Sequence, residues 1–438
     1  MTIPSYFKLK GDPVIWIVFL VLCAISLVEV FSAGSTLAYK ENNFWMHFIK
    51  QGGFLFAGFI VCILVHHIPC NIFKFVPMLL WPFLLFFLFL ARLSSGVNGA
   101  SRWVSLGVNF QPSELAKGVL ICTVALVLSK FQDENGARKE AFKWICCLSL
   151  PYLFLIFTEN FSTAGLLGVV VFIMMILGRV PVRQLFYVVA GLAVAAMLFV
   201  GMMFVLPKDS ENAFYKESAM GSVLHRFPVW RERLTNDNMV LTASPDSFRV
   251  TDENRQEVHA RIAVSNCNKG FGRAPGNSVE RDYLSQAYSD FIFAIVVEEL
   301  GLGGAFLVIM MYLILLFRAG MIADKCGKNF PAFLCMGLSI QIVLQAMINM
   351  MVAVGLFPVT GQTLPLISRG GTSTLVVCAY FGVILSISRY AQQQQKKRQD
   401  AREAKRQRKA LAQAQAAAVI AEDNEEIAQA FANDEGMN

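Results

Sequence analysis

Four polar clusters interrupt an otherwise apolar chain, and their residue types suit a carboxylate base working beside a bound anion. The first runs from Asn98-Gly99-Ala100-Ser101-Arg102-Trp103 to Gln111-Pro112-Ser113-Glu114-Leu115-Ala116-Lys117. Pro112 suits the first turn of a helix, and Ser113 or Gln111 can cap it. Glu114 is favoured near a helix N-terminus, and Lys117 three residues on shares its face. The two read as a pair holding a helix start, or as one wall of a substrate cavity. The second cluster is the turn Thr158-Glu159-Asn160-Phe161-Ser162-Thr163, either a solvated hairpin or a cavity rim in which Asn160 is a supporting residue.

The third cluster begins at Ser289-Asp290-Phe291-Ile292 and ends at Glu298-Glu299-Leu300-Gly301. Asp290 sits where a polar segment becomes an apolar run. It reads as a helix N-cap and also as a partly desolvated carboxylate suited to proton abstraction. Glu298, eight residues further, lies about 12 Å along the helix and about 80° round it, inside the bundle. A buried glutamate needs a partner, for which Lys117 and Arg102 are candidates. The fourth cluster, from Gly355 through Pro358, Gly361, Pro365, Ser368 and Arg369 to Gly370-Gly371-Thr372-Ser373, breaks helical structure. Its plain reading is a re-entrant turn. Its sharper one is an anion seat, with free N–H groups at a helix start and the Arg369 guanidinium beside them.

The elements that must position these clusters are membrane helices. Of 438 residues, 55% are apolar and 16% charged, against about 45–50% and about 25% in globular proteins. That excludes a soluble enzyme, a disordered chain and a nucleic-acid binder, and leaves an all-α, polytopic integral membrane protein. Apolar runs at 13–34, 51–66, 73–91, 114–131, 142–158, 163–179, 184–206, 290–317, 331–353 and 371–388 predict ten transmembrane helices. Lys and Arg concentrate in alternate short loops, which places both termini in the cytoplasm and all four clusters toward the outer face. Residues 207–289, with 11 basic and 11 acidic side chains, form a large extracytoplasmic loop between helices 7 and 8. The transmembrane domain is therefore 1–390, and 391–438 is a cytoplasmic tail, basic over 396–409 and acidic at its end. The tail reads as a solvated positive-inside stop, or as a dock for anionic lipid or a cytoplasmic partner. The scattered cysteines form no disulfide framework, the histidines form no metal-ligand set, and His66-His67 reads as a solvated helix end.

The stretches NGxxRW…QPSELAK, DFIFAxxxEELG and PxTGxxLPLxSxGGTS, in this order, resemble the SEDS family (shape, elongation, division and sporulation) over residues from about 13 to 390. The resemblance implies ten spanning helices in the cytoplasmic (inner) membrane and peptidoglycan glycosyltransferase activity, the polymerisation of lipid II. It places the essential aspartate at Asp290 and other motif positions at Arg102, Glu114, Lys117, Ser368, Gly370 and Gly371. It implies as partners lipid II, the undecaprenyl-pyrophosphate-linked glycan, a class B penicillin-binding protein and other divisome proteins, and no nucleic acid. Two departures stand out. The family's Pro-Asp-x-Gly-Thr turn reads Glu159-Asn160-Phe161-Ser162-Thr163, and a tyrosine before the paired glycines is replaced by Arg369, which either assists a pyrophosphate or faces solvent.

Together these imply that Asp290 takes the proton of an acceptor 4-hydroxyl, which displaces undecaprenyl pyrophosphate from the donor with inversion. Arg102, Lys117 and Arg369 are the candidate cations for the leaving group, with Arg102 the best of them. No cofactor is required by the residues; a divalent cation, Mg or Mn, stays open as a helper. A lipid II flippase is the alternative, although transport by alternating access calls for a matching inner-face cluster. The tail and the wording LPLISRGGTS favour the division branch of the family over the elongation branch.

Overall fold

The computed structural model describes residues 10–34, 44–93, 104–105, 109–205, 255–267, 270–284 and 287–435. Arg102 and most of the expected loop 207–289 lie outside them. Among the described residues eleven α-helices run in chain order: α1 Pro13–Ala33, α2 Phe44–His67, α3 Val76–Leu93, α4 Pro112–Lys130, α5 Lys139–Glu159, α6 Phe161–Leu177, α7 Val182–Val205, α8 Arg255–Ser265, α9 Ile292–Lys325, α10 Asn329–Ala353 and α11 Gly371–Glu435. Two small antiparallel hairpins pair Val104–Ser105 with Asn109–Phe110 and Gln132–Asp133 with Gly136–Ala137.

Each expected apolar run coincides with one helix, with α8 standing apart. Among the described residues eight helices are long and apolar enough to cross a membrane. The other two are shorter as apolar stretches, Phe161–Leu177 and Val182–Val194. Helix α6 is short because Asn160 starts it abruptly: its side chain accepts from the Thr163 N–H at 3.2 Å, an N-cap directly after α5 ends. Helices α4, α10 and the first part of α11 are the most enclosed. Around them α2 packs along α11, α9 along α10, α3 on α4, α1 on α9, and α6 on both α5 and α10.

The two ends of the bundle differ in charge. At one end Asp12 caps α1 through the Val14 N–H (2.9 Å) and pairs with Arg318 near the end of α9. Lys74 lies over the Phe330 ring and Arg389 donates to the His67 carbonyl at that same end. His66, expected in solvent, is buried there with its ring edge-on to Trp16, because the helix end is tucked under α1. The starts of α4, α6, α9 and α11 meet at the other end, which gathers the described residues of the four polar clusters.

A clasp of backbone and carboxylates fixes the start of α9. Gly301 leaves the helical path at φ 70°, ψ −167°. Segment 270–280 folds across this kink, with Leu302 N–H bonded to Gly270 O, and Arg273 and Ala274 N–H bonded to Glu298 O and Glu299 O. A Cβ on Gly301 would lie 2.5 Å from both Gly270 O and Gly272 N. That backbone region is nearly exclusive to glycine and costs other residues about 1–3 kcal/mol before any clash. Gly301→Ala should therefore lower the thermal midpoint of the purified protein by several degrees, while Gly303→Ala, which would meet nothing within 4 Å, should leave it within a degree or two. Equal midpoints for the two variants would refute the clasp.

Candidate active site

The carboxylate of Asp290 comes first. Helix α9 takes Phe291 as its cap position, so the N-cap role expected for Asp290 falls one residue later. Asp290 is half-buried, and Oδ1 accepts from the Ser289 hydroxyl at 3.0 Å. Oδ2 lies on the side of Gly361, 3.7 Å from where a Cβ on that residue would stand. Gly361 has φ +67°, a conformation glycine adopts without steric cost, so the irregular segment can pass close to the carboxylate.

That segment, residues 360–369, has no regular structure, and its carbonyls are held by side chains. Asn349 Nδ2 donates to Gln362 O at 2.7 Å and to Asp290 O at 2.8 Å. Gln345, one turn earlier on α10, donates to Thr363 O at 3.0 Å. Tyr312 of α9 donates to Pro365 O at 2.6 Å, and Ser26 of α1 donates to Ile367 O at 2.9 Å, with Gln51 behind it. Leu366 is held among these bonds at φ +66°, a strained position for a side-chain-bearing residue. Backbone without helical bonds persists inside a membrane bundle only where protein satisfies it, and here three helices, α1, α9 and α10, supply the partners.

Ser368 joins this scaffold. Its hydroxyl accepts from Leu364 N–H at 2.7 Å and donates to Ser289 O at 2.5 Å, beside Asp290. Arg369 N–H donates to Tyr288 O, and its guanidinium lies 5.2 Å from the Tyr288 ring centre, half-buried. Gly370 and Gly371 then open α11. A Cβ on Gly370 would meet Ser373 Oγ at 2.1 Å, and one on Gly371 would meet Phe54 at 3.0 Å. Thr374 N–H makes the first bond back to Gly370 O, so the amides ahead of it belong to the first turn, which lacks intrahelical acceptors. Arg369 thus stands beside a helix N-terminus, as an anion seat requires.

Glu114 and Lys117 pair as their spacing predicts, at 2.9 Å. Lys117 is 1% exposed, and its ammonium also donates to Gln345 Oε1 at 3.0 Å. The lysine therefore faces α10 in this structure, and Arg369 is the described cation of the site with open access. The Tyr380 hydroxyl donates to Glu114 O, tying the start of α4 to α11. Asn160 is the cap of α6, and one turn on Thr163 Oγ1 accepts from Gln362 Nε2 at 2.6 Å, which joins that turn to the rim of the site.

Glu298 is fully buried, but Lys117 is not its partner, and Arg102 lies outside the described residues. It accepts from the Ser278 hydroxyl (2.5 Å) and the N–H groups of Val279 (3.1 Å) and Glu280 (3.4 Å), with Arg273 at 3.9 Å. Folding of segment 270–280 over α9 brings those donors closer than any cation of α4. Glu299 takes the N–H groups of Gly276 and Ser278 and the hydroxyl of Ser32. Both glutamates are anchors of the clasp.

The sequence reading passed over three residues that the structure brings forward. Gln345 and Asn349 continue a row that begins at Gln341, and their spacing of four inside an apolar run was the available signal. Glu29 of α1 is fully buried, and among the described residues neither of its carboxylate oxygens has a hydrogen-bond partner. Asn349→Leu strips the donor from two buried carbonyls, at about 1–3 kcal/mol each. Hydrogen exchange of the amides of Leu364, Ser368 and Arg369 should then quicken at least tenfold while the α4 amides hold. Unchanged exchange at 364–369 would show that Asn349 does not hold the segment.

Comparison with known proteins places this arrangement. The family described as "Cell cycle protein" (FtsW, RodA, SpoVE) matches residues 12–393. A Geobacter sulfurreducens protein named "Probable peptidoglycan glycosyltransferase FtsW" is 30% identical over 386 residues, covering 86% of this chain and 95% of its own. A Pasteurella multocida protein of the same name is 29% identical, covering 87% and 91%. Among solved structures, a chain from work titled "Structural coordination of polymerization and crosslinking by a peptidoglycan synthase complex" aligns with TM-score 0.66 at 23% identity, covering 87% of this chain and 98% of that one. The Thermus thermophilus rod shape determining protein RodA aligns with TM-score 0.58 at 22% identity, covering 88% and 98%. Since the family model spans nearly the whole chain, the chain belongs to the FtsW/RodA/SpoVE family of cell-cycle proteins.

Proposed function

We propose that the protein is a peptidoglycan glycosyltransferase of the division type, polymerising lipid II at the outer face of the cytoplasmic membrane. The observation that carries this reading is Asp290, a half-buried carboxylate whose backbone carbonyl accepts from Asn349 of α10 and whose Oδ1 accepts from the Ser289 hydroxyl. It stands at the same end of the bundle as Arg369 and the first turn of α11. Asp290 takes the proton from the 4-hydroxyl of the acceptor sugar. The oxygen attacks C1 of the donor, and the C1–O bond to the pyrophosphate breaks with its electron pair going to the leaving group. The α-linked donor becomes a β-1,4 link. Arg369 and the α11 N-terminus offset the charge of the departing pyrophosphate, joined by Arg102. Among the described residues no three His, Cys, Asp or Glu side chains gather as a metal cage, and no step is assigned to a divalent cation.

The charge difference between the two ends supports an orientation with both termini in the cytoplasm. A transpeptidase partner and other divisome proteins fit this reading, since the matched solved complex couples polymerisation to crosslinking. The FtsW names of the curated relatives support the division branch.

Asp290→Asn, which keeps shape and removes the base, should cut lipid II polymerisation by about 100- to 10,000-fold with lipid II binding retained. Activity within tenfold of the parent would overturn the base assignment. Depletion in the source bacterium should yield filaments; round cells would move the protein to the elongation branch.

A further inference from the structure

Helix α11 does not stop where the membrane does. It runs unbroken from Gly371 to Glu435, and after Gly382 it contains no glycine or proline. It begins beside the Asp290 site and passes Arg389, which donates to the His67 carbonyl at the opposite end of the bundle. Residues 396–409 (KKRQDAREAKRQRK) carry eight basic and two acidic side chains, all exposed. The basic residues are not spread evenly round the helix. Arg398, Arg402, Lys405 and Lys409 follow spacings of four, three and four, so they form one stripe within about 60° of arc. Lys397, Arg406 and Arg408 flank it, and Asp400 and Glu403 fall on the far side with Lys396. Arg398, the first residue of the stripe, leans on the turn at Gly327 between α9 and α10. The stripe therefore begins where the protein body ends.

Three occupants suit a cationic stripe, and the geometry separates them. An anionic lipid surface fits the outer part of the stripe poorly. Counted from Arg389, Lys396 is about 10 Å out and Lys409 about 30 Å out along a straight helix, against a screening length of about 8 Å. The next part of the helix, 422–435, has six acidic residues and no basic one, and an anionic leaflet repels it. A second copy fares no better. Two copies in one membrane send their helices out side by side and parallel, setting cation against cation. What remains is a soluble partner that presents acidic groups in a row.

We propose that the stripe Arg398–Arg402–Lys405–Lys409 is a docking surface for an acidic helix of a cytoplasmic protein, with carboxylates at i, i+4, i+7 and i+11. The proposal rests on the orientation given above and not on the chemistry at Asp290. It is tested on the full chain in lipid nanodiscs. The probe is a 21-residue helical peptide with Glu at those four spacings, beside a peptide of equal composition with the Glu positions scattered round the helix. The patterned peptide should bind at least tenfold tighter than the scattered one, and weaken with salt. The variant R398E/R402E/K405E/K409E should lose this binding and gain it for a patterned Lys peptide, while D400N/E403Q should keep it. Equal binding of both Glu peptides, or a charge-reversed variant that binds like the parent, would overturn the proposal. So would tighter binding of a 20-mer RNA than of the patterned peptide. So too would a spin label at position 405 that reports contact with phosphatidylglycerol headgroups, which would assign the stripe to lipid. Failure of lipid II polymerisation would leave each of these outcomes readable.

Discussion

A side-chain amide buried in a membrane bundle has only protein to bond to, and the site is built on three of them along one face of α10. Gln341 and Gln345 are bonded to each other, Gln345 takes the Lys117 ammonium and gives to Thr363 O, and Asn349 gives to Gln362 O and Asp290 O. Without this row the irregular segment 360–369 would leave bare carbonyls at membrane depth, each costing several kcal/mol at about the level of an unsatisfied group in hydrocarbon. With it, four elements of the chain are registered to one helix: the start of α4, the start of α9, the irregular segment and, through Gln362 and Thr163, the start of α6.

This arrangement separates two tasks that the composition alone merges. Lys117, Glu114, Glu298 and Glu299 are charged, buried and satisfied, so they serve as fixed joints. A buried pair is costly to break one member at a time, about 3–5 kcal/mol, which suits a joint better than a ligand contact. Asp290 and Arg369 are only half-buried, and they lie on either side of the Ser289–Ser368 bond. On the proposed reading, the chemistry is left to the groups that keep access to a ligand, and rigidity to those that do not.

Much of this was legible in the residues. The helix positions followed from apolar runs because each run must satisfy its own backbone in lipid, and the four clusters stood out because charge is costly there. Pro112 and Glu114 marked the α4 start, and Asn160 sat at a turn where it proves to be a cap. What could not be read was who bonds to whom across long separations. Glu298 needed a partner, and the nearest cations by composition were Lys117 and Arg102. The true donors lie on a segment that folds back over a kink which only Gly301 permits. Gln345 and Asn349 look like ordinary amides in a row until the segment they hold is placed beside them. His66 looked solvated because its neighbour α1 is far away in the chain.

On the proposed reading, the pyrophosphate end of the substrate sits between Arg369 and the first turn of α11, facing Asp290. A structure of the protein with undecaprenyl pyrophosphate bound tests it most directly. The two phosphates are expected against the Arg369 guanidinium and the amides of Gly371, Thr372 and Ser373, with the Asp290 carboxylate opposite them. Phosphate density at the opposite end of the bundle, near Arg318 or Arg389, would contradict it.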